Sequence, residues 1–223
     1  MANGLPPGVK TLATPEDICR ETLWMLGARI DFGAGILIPA PTVGSLALFD
    51  LVKSPITCSG ETWTPDRIKE AVFILCEGKL AASIVYDETE RVPVEMEKVY
   101  DGASDAFKLF CGAFDSGVLK IAVVVDSLSK AMTGAVSGFS LLPKKRGTDE
   151  QDWPRFNSEW LARMIVTVSQ SGLAVTMDQI LWELPLCTVS HLVAAGAAKN
   201  GVTLRRPLDE DSVLAALEAL NKT

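Results

Sequence analysis

The sequence predicts a mainly α-helical globular protein of about eight or nine helices, with little or no β structure. Two observations carry this. Apolar residues recur at three- and four-residue spacing along most of the chain, while strict apolar/polar alternation is nowhere sustained. Threonine and serine followed by proline or acidic residues punctuate the chain in the way that helix starts require.

The first such start is "ATPEDICRETLWMLG". Thr14 is the cap, Pro15 the first helical residue, Asp17 stands three residues after the cap, and Gly27 lies just past the end. "RIDFGAGILIPAP" follows, with Gly33, Gly35, Pro39 and Pro41, and reads as extended or looped chain with one short strand at Ile36–Ile38. "PTVGSLALFDLVKSP" is a helix capped by Thr42 and stopped before Pro55. In "TWTPDRIKEAVFILCEG", Thr64 caps, Pro65 opens the helix, Asp66 complements its positive end and Gly78 is the expected stop. A short helix from Leu80 to Tyr86 is expected next, then a polar surface loop, "DETERVP". From Val94 to Phe114 the pattern is helical again, with Gly102 and Ser104 as breaks.

The most apolar stretch, Val118–Leu142, contains Lys120, Asp126 and Lys130, each costly at bilayer depth. It therefore predicts a buried helix of a globular protein. Pro143–Pro154 ("PKKRGTDEQDWP") is charged and nearly free of apolar residues, and is read as a linker. The expected division is a helical N-terminal domain (1–142), a linker (143–154) and a helical C-terminal domain (155–223). In the latter, Asn157 or Ser158 caps a helix ending near Gly172, and Thr176 with Gln179 forms a capping box. Pro185 starts a further helix that the small residues Ala194–Ala198 open to close approach and that Asn200-Gly201 ends. A last helix follows Pro207, with Asp209, Glu210 and Asp211 at its positive end.

Composition excludes several function classes. Of 223 residues, 48% are hydrophobic and 22% charged, which suits a packed core and not a disordered chain. The net charge of −7 leaves no excess of cations for phosphate, so neither nucleic acid nor an anionic membrane surface is an expected partner. The N-terminus lacks the basic and apolar regions of a signal peptide. Five scattered cysteines without a CxxC pair read as free thiols in a reducing cytoplasm, and one histidine gives no metal cluster.

No phosphate-binding loop, dinucleotide fingerprint, nucleophile elbow or zinc-protease helix is present; "GAG" at Gly33–Gly35 lacks the third glycine. No catalytic residue, cofactor or metal site is assigned. Two places still merit weighing. Cys187 and His191 share a helical face, but their apolar neighbours fit a core pair better than an activated thiol. Asp126 either pairs with Lys130 or marks a polar site in a bundle interior.

"ILWELPLCTVSHLVAAGAAKNGV" (Ile180–Val202) resembles a segment of phage and prophage tail assembly chaperones, and "ILIPAPTVGSLALFDLVKSPI" (Ile36–Ile56) resembles a second segment of similar phage-associated proteins. With the "AVFIL" helix that follows the second segment, the resemblance covers Ile36–Leu75 and Gln179–Val202, well under half of the chain, and carries no active-site signature. It implies a non-enzymatic protein in the cytoplasm of the bacterial host that binds a helical phage protein such as the tape measure protein. Alternatives are a structural virion component, such as a tail or connector protein, and an enzyme with an unfamiliar helical fold using Asp126 or Cys187–His191. The expected helix–Pro–helix joint gives Trp182, Leu184, Pro185, Leu186 and His191 as candidates for joint or partner contact, with Trp182 serving as core or as anchor.

Overall fold

The computed structural model describes residues 22–58, 60–83, 103–142, 158–170 and 174–203. Over these residues the protein is mainly helical, the class predicted from the sequence, and its one sheet has two strands. The expected first helix start at Thr14, the loop from Asp87, the linker 143–154 and the last helix after Pro207 lie outside the described residues.

The chain enters through a helical turn at 22–25 and forms a small hairpin. Strand β1 (Ile30–Asp31) pairs antiparallel with β2 (Leu37–Ile38), Ile30 opposite Ile38 and Asp31 opposite Leu37. The sequence pointed to a strand near β2 but not to β1, because two-residue strands leave no alternation to read. Between them Gly33, Ala34 and Gly35 all have positive φ, and the Gly33 N–H donates to Asp31 Oδ1 at 2.7 Å. The two glycines permit this turn, and Ala34 is carried between them.

Helix α1 (Val43–Leu51) opens on a reciprocal cap: Ser45 N–H donates to Thr42 Oγ1, and Thr42 N–H to Ser45 Oγ. Helix α2 (Pro65–Cys76) starts as predicted, with Arg67 N–H on Thr64 Oγ1. It ends at Cys76 with Glu77 as its C-cap, so Gly78 stands just past the end as expected, and α3 (Gly78–Ser83) begins there. Glu77 has a second role across the fold, where its carboxylate accepts the N–H of Ser104 and anchors the start of α4 (Asp105–Asp115).

Helix α5 (Ile121–Ala135) is shorter and less buried than the apolar stretch suggested. Val124, Leu128, Ala131 and Ala135 form one buried stripe, while Val118, Ile121 and Val123 are exposed. A helix carrying Lys120, Asp126 and Lys130 turns only one face inward. A 3₁₀ turn follows (Ser137–Leu141). No helix among the described residues is long and apolar enough to cross a membrane. Helix α6 (Ser158–Ser169), a π-type turn (Gln179–Glu183) and α7 (Leu186–Lys199) complete the described elements.

Two apolar clusters hold these elements together. The larger is built by the hairpin, α1, α2, α4 and α5, with Phe73 and Phe107 edge to face at 5.2 Å and Phe110 beside Phe114 at 5.5 Å. The smaller joins Val43 and Leu46 of α1 and Ala135 of α5 to Val168, Ile180, Leu186, Val189 and Val193. Met132 packs against both. Helices α2 and α4 run antiparallel: Lys69 meets Asp115 at one end (2.7 Å) and Glu77 meets Ser104 at the other (2.8 Å).

Candidate functional site

The 176–191 segment forms the joint that the sequence predicts. Thr176 and Gln179 make the capping box in both directions, Gln179 N–H to Thr176 Oγ1 at 3.2 Å and Thr176 N–H to Gln179 Oε1 at 2.9 Å. Pro185 then caps α7. Between them Leu184 N–H reaches back five residues to Gln179 O at 2.8 Å. This wider turn re-aims the side chains that follow it.

The re-aimed residue is Trp182. Its ring lies between two glycines: a Cβ built on Gly44 would stand 2.3 Å from Cζ3, and one on Gly78 would stand 2.8 Å from the same atom. The ring therefore fills a slot between the starts of α1 and α3 that only residues without side chains leave open. The slot is closed at its edges by a β-type bridge of Thr42 with Pro185, by Leu186 N–H on Pro41 O at 2.7 Å, and by the exposed Lys79–Asp178 ion pair. Of the five candidates, Trp182, Leu184, Pro185 and His191 are half-buried and Leu186 is fully buried.

His191 and Cys187 do meet, with Nδ1 3.6 Å from Sγ. Nδ1 also lies 2.9 Å from the Cys187 carbonyl oxygen, a short contact that calls for a proton on Nδ1. In that tautomer Nδ1 has no lone pair with which to take the thiol proton, and Cys187 is buried. Among the other described thiols, burial disfavours the thiolate of Cys76 and of Cys111, and at Cys111 it outweighs the nearby Lys69 ammonium. Burial, helped by neighbouring Glu77 and Cys111, pushes the Cys76 thiol up to about 12, and burial also raises that of Cys111. Asp126 pairs with Lys130 at 2.6 Å in solvent, a surface ion pair and not a bundle-interior site. Cys19 lies outside the described residues.

An open groove among the described residues lies elsewhere, and the sequence reading did not find it. The hairpin tip (Ala34, Gly35, Ile36) and the outer face of α4 from Asp105 to Ser116 enclose an open, mainly apolar groove of about 730 Å³. Leu109 stands on its wall, 64% exposed, and a Cβ on Gly112 would touch nothing. Asp105 and Lys108 place one charge of each sign on the rim. The sequence carried one usable signal: Leu109 is apolar but lies off the stripe of Phe107, Phe110 and Phe114 that α4 buries.

The chain matches no protein-family model, no curated protein and no solved structure.

Proposed function

We propose that this chain is a non-enzymatic tail assembly chaperone or tail accessory protein of a phage, active in the cytoplasm of the bacterial host, which holds a helix of a longer phage protein such as the tape measure protein. The phage assignment rests on the resemblance of Ile36–Leu75 and Gln179–Val202 to that class. The observation that carries the binding mode is the groove beside α4. It is open, mostly apolar and walled by an exposed leucine, and its rim is polar. Such a surface takes the apolar face of an amphipathic helix, with the rim fixing its direction. A net charge of −7 keeps an assembly factor dispersed while it presents that surface.

Co-expression with the longest coiled-coil-rich protein encoded beside it tests this reading. The expected result is a complex in the soluble fraction, with the long partner insoluble when expressed alone. A partner equally soluble without this chain contradicts it. Recovery of the chain as a stoichiometric component of finished particles would replace it with a structural virion role.

A further inference from the structure

The groove beside α4 has bare backbone on its floor at Gly112, and nothing in the described part of the molecule requires a glycine there. The other helical glycines show the contrast. Gly44 and Gly78 make room for the Trp182 ring, Gly134 for Trp24, and Gly138 for α7 at Ser190 and His191; a Cβ on any of the four would stand within 3 Å of that neighbour. A Cβ on Gly112 would meet nothing within 4 Å, and the backbone there is not left-handed. Gly112 is exposed inside α4, a setting in which glycine weakens a helix relative to alanine. Alanine would fit and would strengthen the helix. Among the described residues Gly196 of α7 is the other helical glycine with open space at its Cβ, and it does not line the groove.

The space over Gly112 has apolar walls. Leu109 stands less than one turn before it, and Ile36 and the hairpin tip line the groove with it. The floor offers little polar chemistry, because the Gly112 carbonyl already accepts the N–H of Ser116 at 3.1 Å. A small side chain laid there would leave the walls without contact, whereas a leucine or phenylalanine reaches them. Such a buried apolar anchor carries much of the affinity when a helix lies in a groove.

We propose that the helix held beside α4 seats one large apolar side chain over Gly112, which makes this glycine the residue that sets the groove's specificity. The inference rests on the reading of the groove as a helix-binding site and names the feature by which it selects a helix. Glycine at 112 is then kept at the expense of helix strength, in favour of the guest.

Calorimetry with synthetic peptides tests this. Each peptide is about 20 residues of alanine, glutamate and lysine, long enough to be helical alone, with an apolar stripe whose central residue is phenylalanine, leucine, alanine or glycine. The wild type is expected to bind the phenylalanine and leucine peptides at least about tenfold more tightly than the alanine peptide. Gly112→Leu is expected to weaken the phenylalanine peptide by at least about tenfold with no loss in melting temperature, and Gly112→Ala to narrow the preference. Gly196→Ala, outside the groove, is expected to leave every affinity unchanged. Equal affinity for all four peptides, or preference for the glycine or alanine peptide, overturns the proposal, as does wild-type binding by Gly112→Leu. If Leu109→Asp still weakens binding in those cases, the groove remains a helix site and only the role of Gly112 falls. If no peptide binds, or if Leu109→Asp binds as the wild type does, the helix-binding reading fails and the proposal with it.

Discussion

Trp182 shows how much a single side chain can decide here. Its ring occupies space left by two glycines on different helices, so it is matched to those positions and not simply buried. Trp182→Ala empties the slot and is expected to cost about 3–5 kcal/mol, read from chemical denaturation. Gly44→Ala attacks the same contact from the other side: its methyl would meet the rigid ring, so a loss of about 1–3 kcal/mol is expected without any change in the tryptophan itself. Full stability in Gly44→Ala would contradict the described packing. Glu70 gives a different kind of test. Burial pushes its carboxyl above the usual range, and the Arg67 guanidinium at 2.7 Å pulls it part of the way back. A raised folded-state pKa favours folding while the group is protonated, and that contribution is lost as pH rises through it. Stability of the wild type relative to Glu70→Gln, followed by urea melts, should therefore fall as pH rises above the ordinary glutamate range. A relative rise over that range would show that the Arg67 pairing outweighs burial. At this scale the sequence was informative about types and not about partners. Trp182 before a proline reads as a corner filler, but nothing local names Gly44 and Gly78, which lie far earlier in the chain. The Cys187–His191 contact followed from helical spacing. The tautomer that disarms it depends on a backbone oxygen that no pattern marks.

Among the elements, those with a chemical start signal were the legible ones. Thr42, Thr64 and Thr176 all accept the backbone N–H groups that their sequence context predicts. Thr64 is exposed and its bond is local, so Thr64→Ala is expected to cost about 1 kcal/mol and Thr64→Ser almost nothing, measured by thermal unfolding. Equal losses in the two variants would place the role of Thr64 outside capping. Ends and breaks were harder to read. Gly78 stands just past the end of α2 as its sequence context suggests, but nothing local shows that α3 begins there or that its missing side chain leaves room for Trp182. The apolar stretch after Val118 looks wholly buried, yet its first turn faces outward. Hydropathy counts residues, whereas burial depends on how many faces of a helix meet a neighbour. The groove was missed for the same reason: it lies between the tip of a hairpin and a helix, and its floor is defined by absent side chains.

The described parts of the molecule are held by two apolar clusters that share elements. Helix α1 gives Phe49 and Leu48 to one and Val43 and Leu46 to the other, and Met132 of α5 touches both. Sharing of this kind ties the clusters into one unfolding event. Far-UV circular dichroism and tryptophan fluorescence are expected to report coincident transitions, and Leu186→Ala, fully buried in the smaller cluster, should lower both together by about 2–5 kcal/mol. Two separated transitions would show that the clusters unfold independently. The functional account depends on this rigidity, because the groove holds its shape only while the hairpin and α4 stay fixed on the common core. The most direct test is the affinity of a helical segment of the captured partner for the wild type and for Leu109→Asp, read by calorimetry. The account predicts binding at least about tenfold weaker in the variant with its melting temperature unchanged; equal affinity for the two proteins would contradict it.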